Sequence, residues 1–97
     1  MKKIIFLKQK ELVEAISAED RSKLVIGGYV KDDHLHMIRA DKCEMVLPIS
    51  WFAPAGDGTA ADFSQLSFED HGQTIKCGDY EACAEFALSQ AKASDAV

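Results

Sequence analysis

The stretch Leu24-Val25-Ile26-Gly27-Gly28-Tyr29-Val30-Lys31-Asp32-Asp33-His34-Leu35-His36-Met37-Ile38-Arg39-Ala40-Asp41-Lys42-Cys43-Glu44-Met45-Val46-Leu47-Pro48-Ile49 decides the fold. Three apolar-rich runs, at 23–31, 34–39 and 43–49, are separated by Asp32-Asp33 and by Ala40-Asp41-Lys42. Short polar breaks between runs rich in Val, Ile and Tyr are the pattern of strands joined by tight turns. In the first run Leu24, Ile26 and Val30 are expected on one face, with Gly28 between them, and Val25 and Tyr29 on the other. Gly27-Gly28 inside a strand predicts a bulge or a close backbone approach. In the third run Cys43, Met45, Leu47 and Ile49 share a face. Pro48 has no N–H to give a ladder, so this strand lies at an edge or ends there. The three runs together predict an antiparallel meander.

Upstream, Lys3-Ile4-Ile5-Phe6-Leu7 reads as a short strand or the entry to a helix. Residues 9–18 read as an amphipathic helix, with Leu12, Val13 and Ile16 on one side and Ala15 at its edge. Downstream, Ser50-Trp51-Phe52 leads into the segment from Ala53 to Asp62. Pro54, Gly56, Asp57 and Gly58 there disfavour regular structure. At about ten residues this loop is long against the usual connection of about 4–6. Gln65 to Glu69 alternates as a strand, Asp70-His71-Gly72 turns, and Gln73 to Cys77 returns. Gly78-Asp79 then stops the hairpin, and Asp79 is placed to cap a helix over 80–92. Tyr80, Cys83, Ala84, Ala87, Leu88 and Ala91 make its apolar stripe, and Phe86 widens it. The expected fold is one α+β domain over 1–97. It has an antiparallel sheet of about five strands, the meander plus the hairpin, flanked by an N-terminal and a C-terminal helix.

Composition agrees with one small globular domain: 97 residues, 47% hydrophobic and 28% charged. No apolar run approaches the roughly 20 residues that cross a bilayer. Ile4 to Leu7 is followed too soon by Lys8 and Lys10 to be a secretory core, so a cytoplasmic location is expected. The three cysteines, Cys43, Cys77 and Cys83, are odd in number and form no C-x-x-C pair. A disulfide framework is therefore disfavoured, and packing is the expected role of all three, with Cys43 and Cys83 as buried thiols. The formal charge of −5 is uneven. Residues 1–42 hold nine Lys/Arg against seven Asp/Glu, whereas 43–97 hold two against nine. An acidic second half repels phosphate backbones and suits a basic partner or a solvated surface.

Chemistry-bearing patterns are sparse. His34 and His36 share a strand face and could reach one ion, with Asp32, Asp33 or His71 adding a ligand. Metal sites need about three or four protein ligands, so two solvent-facing histidines are the preferred reading. Ser50 lacks a glycine-flanked elbow. Gly56-Asp57-Gly58 has no lysine and no following helix, so it is not a phosphate loop. No catalytic residue and no cofactor are expected. Trp51-Phe52 is either a core plug or an exposed anchor, and the core reading is preferred for a domain this small.

The run Asp41-Lys42-Cys43-Glu44-Met45-Val46-Leu47-Pro48-Ile49-Ser50-Trp51-Phe52 resembles the signature of an uncharacterised bacterial family, domain of unknown function 2442. Pro48, Ser50, Trp51 and Phe52 match its proline–apolar–small–Trp–aromatic run. Leu66 to Phe68, Gly72, Ile75 and the segment from Asp79 are similar to the layout that follows it, so the likeness spans about residues 33–90. Lys76-Cys77-Gly78 departs from it, since many members carry a Trp-Pro step there. The resemblance implies a small α+β domain without established activity, often encoded beside toxin–antitoxin-like or other mobile genes.

The expected function is a non-enzymatic interaction or regulatory module, with Trp51, Phe52, Pro54, Asp57 and Asp62 as contact candidates. Its partner is another protein or a second copy of the chain, not a membrane, with nucleic acid disfavoured. One alternative is an acidic inhibitor from a phage or gene cassette that mimics nucleic acid, with Glu69, Asp70, Asp79, Glu81 and Glu85 in one patch. The other is a metal-binding protein or metal-dependent enzyme in which His34, His36 and His71 converge.

Overall fold

A computed structural model of the chain describes residues 22–93, together with the backbone pairing of Ile5–Phe6. The expected meander is present as β2 (Val25–Lys31), β3 (His34–Arg39) and β4 (Glu44–Pro48). Its first turn is the two-residue type that matches strand twist, because Asp32 and Asp33 both adopt left-handed φ, 54° and 62°. Its second closes through Arg39 N–H to Cys43 O and Lys42 N–H to Arg39 O, both 2.9 Å, with Lys42 left-handed. Strand β1 (Ile5–Phe6) pairs with Gly27 and Gly28 on one side, and β8 (Lys92–Ala93) pairs with Met45 and Val46 on the other. The sheet order is β1-β2-β3-β4-β8.

The glycines act as expected, with one consequence for side-chain direction. The register steps from Val25↔Arg39 to Gly27↔Ile38, so Ile26 is the extra residue of a bulge. A bulge shifts the period-2 pattern by one residue. Val25 therefore joins Gly28 on the core face, and Tyr29 alone of the expected pair points the other way. At Gly28 any Cβ would strike the His36 carbonyl oxygen, and Phe68 Cζ lies 3.1 Å from that position.

Phe68 belongs to a second sheet. Strands β5 (Leu66–Glu69), β6 (Thr74–Cys77) and β7 (Tyr80–Cys83) form a separate antiparallel sheet in that order. The hairpin does not extend the meander edge to edge, because its apolar residues Leu66, Phe68, Ile75 and Cys77 all bury on one face. That face packs against the core face of the first sheet. The core joins Val25, Leu35, Met37 and Leu47 to those four and to Ala84, Ala87 and Leu88. Fully burying a side chain of this size contributes about 1.5–3 kcal/mol.

The expectation of one five-stranded sheet flanked by two helices is thus corrected. Among the described residues there are two antiparallel sheets and a single α-helix, α1 (Ala84–Gln90). The expected helix over 9–18 lies outside the described residues. The helix expected over 80–92 begins four residues later, because Tyr80–Cys83 pairs with β6 in the register Cys77↔Tyr80 and Ile75↔Ala82. Tyr80 and Ala82 alternate inward as well as they would stripe a helix, and β6 offers them a ladder. Asp79 sits in the turn and caps nothing; Ala84 N–H instead reaches Gln73 O at 2.8 Å. Phe86 is 67% exposed and does not widen the buried stripe.

Two further corrections concern cysteines. Cys43 and Cys83 are exposed, and only Cys77 is buried. Cys43 stands in the turn before β4. Cys83 lies opposite Thr74, on the outward parity of its strand. Burial pushes the Cys77 thiol up to about 11, with the Asp62 charge adding to the shift.

Candidate interaction site

The site is built by the chain that leaves β4. Pro48 ends the strand, and Ile49–Trp51 makes one turn of 3-10 helix. Two bonds hold that turn: Ile49 N–H to Asp33 O at 3.0 Å, and Phe52 N–H to Ile49 O at 3.1 Å. Neighbouring aromatics are thereby sent opposite ways. Phe52 packs against the core and meets Phe63 edge-on, with ring centroids 5.4 Å apart. Such a pair adds about 0.5–1.5 kcal/mol beyond its burial. Trp51 is 57% exposed. The expected core plug is therefore Phe52 alone, and Trp51 stands in solvent because Phe52 and Phe63 already occupy that margin of the core.

The loop beyond is ordered by its own polar groups. Ala55 N–H reaches Thr59 O and Gly58 N–H reaches Ala55 O, both at 2.8 Å, with Gly58 at φ 90°. The Asp57 carboxylate accepts from Thr59 N–H at 3.0 Å. Asp62 accepts from Ser64 N–H, from Ser64 Oγ at 2.6 Å and from Gln65 Nε2 at 2.9 Å, capping the 3-10 turn Phe63–Gln65. These donors hold both carboxyls below the usual carboxylate range: Thr59 for Asp57, and Ser64 first, then Gln65, for Asp62. The second sheet ties the loop down at both ends. Tyr80 Oη donates to Ala53 O at 2.8 Å, and Asp62 N–H donates to Cys77 O at 3.3 Å.

Of the contact candidates, Trp51, Pro54, Asp57 and Asp62 are exposed, whereas Phe52 is half-buried. Asp62 is exposed, yet its carboxylate is committed to the cap. Tyr80 is the residue that sequence reasoning missed. Assigned to a helix stripe, it gave no sign that its hydroxyl would brace Ala53.

The histidines take other places. His36 stacks on Tyr29 at 4.6 Å and donates from Nδ1 to Glu44 Oε2 at 3.2 Å; Tyr29 Oη donates to both Glu44 oxygens. His34 donates from Nδ1 to Asp32 O at 2.7 Å. The two lie on the same face of β3, which is two ligands where a site needs about three or four. His71 does not join them. It belongs to the β5–β6 turn, whose Gly72 packs on Leu24 and Val25, at the other end of β2. Among the described residues no group of three or more His, Cys, Asp or Glu is arranged to hold a metal ion.

The acidic residues of the second sheet are also divided. Glu69 and Asp70 lie at one end of β6 and Asp79 at the other. Lys76 is opposite Glu81, and Lys23 Nζ lies 3.7 Å from Glu85. They do not make one uninterrupted patch. Among the described residues no helix is long and apolar enough to cross a membrane. Compared with models of protein families, with curated proteins and with solved structures, the chain matches none.

Proposed function

We propose that this chain is a non-enzymatic protein-interaction module whose contact surface is Trp51 with the loop Ala53–Asp62. The observation that carries it is the 57% exposure of Trp51 on a braced mount. Large aromatic side chains on pre-ordered backbone are the usual anchors of protein interfaces, because little freedom is lost when they bind. Pro54 and Asp57 extend the surface, while Phe52 and Asp62 hold it in shape. The resemblance of Pro48 to Phe52 to domain of unknown function 2442 sits with this reading, since it brings no catalytic residue with it. A regulatory role in the cytoplasm is part of the same proposal.

The test is a photo-crosslinking amino acid placed at position 51 and, separately, at the exposed position 86. The variants are expressed in the cell of origin. One discrete adduct from position 51, missing from position 86, is the expected result. The same adducts from both positions, or none from either, would sink the reading.

A further inference from the structure

We infer that the partner of the Trp51 surface is a basic protein segment: an apolar group that covers the indole, flanked by lysine or arginine. The inference rests on the module reading and adds the chemistry of the occupant. Trp51 stands at the end of the molecule where three connections meet. The Asp32-Asp33 turn is bonded to the mount through Asp33 O and Ile49 N–H. The loop carrying Asp57 and Asp62 follows directly. The Gly78-Asp79 turn packs behind it, with Gly78 N–H on Gln65 O at 3.4 Å and Asp62 Cβ 3.6 Å from where a Gly78 Cβ would stand. Every charged side chain these connections contribute is an aspartate: Asp32, Asp33, Asp57, Asp62 and Asp79. All five are exposed, and among the described residues none of them enters an ion pair. The hydrogen bonds to Asp57 and Asp62 come from neutral N–H and O–H donors, which orient a carboxylate without cancelling its charge. The lysines on the adjoining strands are Lys31, at the end of β2, and Lys76, which is opposite Glu81 in the β6–β7 pairing.

An aromatic anchor at an end whose connections carry only aspartates favours a basic partner and penalises an acidic one. It also disfavours a second copy of the chain. A two-fold dimer sets the same patch against itself, so the aspartates of one copy would face those of the other.

The probe is a pool of random linear peptides displayed on phage and selected on the full chain. Recovered peptides are expected to combine an apolar residue with net positive charge. They are expected to blue-shift the emission of Trp51, the one tryptophan in the chain. Their binding is expected to weaken about tenfold or more in Trp51→Ala and in the combined Asp32→Asn, Asp33→Asn, Asp79→Asn variant, and to fall as salt rises. Asparagine accepts the left-handed backbone of the first turn, so the charges go and the turn stays. Peptides that need Trp51 but carry no cationic bias would overturn the inference and leave the module reading standing. A pool with no Trp51-dependent binder would remove both. Sedimentation of the unmodified chain runs alongside. A concentration-dependent dimer with the same blue shift would make the second copy the occupant and overturn the basic partner.

Discussion

The two ends of this molecule are made of the same materials and finished differently. Both carry turns with left-handed residues and exposed aspartates. At the Arg39–Cys43 end two ion pairs form, while Asp70 accepts from the Thr74 hydroxyl at 2.8 Å. Arg39 grips Asp41 with Nε at 2.9 Å and Nη2 at 2.7 Å, and Lys23 sits near Glu85. Backbone is also packed tightly there: a Cβ on Gly72 would lie 2.8 Å from Val25 O. At the Trp51 end the aspartates form no ion pair among the described residues, the loop glycines Gly56 and Gly58 have open space around them, and an indole stands in solvent. One end closes the fold and the other leaves its charge and its largest side chain unspent. On the proposed reading stability and recognition are housed apart, and a change at either end should leave the other's property intact.

The sharpest way to break that contrast uses two glycines, both with φ near +90°. Gly72→Ala adds a clash with Val25 O to left-handed strain and should cost about 3–4 kcal/mol in urea unfolding. Gly58→Ala meets nothing within 4 Å and should cost about 1–2 kcal/mol of strain alone. Equal losses would mean that the two ends are packed alike. Next in size is the Arg39–Asp41 pair. The Arg39 guanidinium holds the Asp41 carboxyl below the usual carboxylate range. A depressed folded pKa contributes stability above the unfolded value of about 3.9 and loses it as pH falls through the folded one. Asp41→Asn should thus cost about 1 kcal/mol at pH 7, with the gap to the unmodified chain closing below about pH 4. A gap constant with pH would show that the pair contributes nothing. The smallest effect is read from the indole. Trp51→Ala should move stability by about 0.5 kcal/mol or less. With Trp51 intact, caesium should quench its fluorescence more efficiently than iodide, each taken relative to its quenching of free N-acetyltryptophanamide, and the difference should shrink in Asp32→Asn/Asp33→Asn. Equal quenching by the two ions would mean that the rim is electrically neutral.

Which parts were legible in the sequence follows the same division. The meander was readable because alternation, Asp32-Asp33 and Ala40-Asp41-Lys42 all favour one answer, and Gly27-Gly28 announced its irregularity. The side-chain directions beyond Ile26 were not, since one bulged residue reverses parity without changing composition. Tyr80 to Cys83 was misread because Tyr80, Cys83, Ala84, Ala87 and Leu88 satisfy a helical spacing while Tyr80 and Ala82 satisfy a strand. The pairing partner that chooses between them, β6, is a tertiary fact. Whether the hairpin would extend the first sheet or lie on it was equally out of reach, because the connection before it is long enough for either. Trp51 illustrates the limit at the site. The residues that claim the core margin, Phe52 and Phe63, lie on either side of a loop whose closure depends on Tyr80. Asp57, Asp62 and Asp79 were visible as part of an acidic half, but that the Asp32-Asp33 turn of the other half shares their end of the molecule was not.

The two-residue strand Lys92–Ala93 has a consequence for handling this protein. It lies against Met45 and Val46 and occupies hydrogen-bonding positions that β4 would otherwise present along its edge. An uncovered strand edge is a template on which another chain can add its own strand. Proteolytic nicking at the exposed Ser89-Gln90 link would strip that cover while leaving the core strands in place, so a trimmed preparation would be prone to chain-on-chain growth and fibre formation that the intact protein resists.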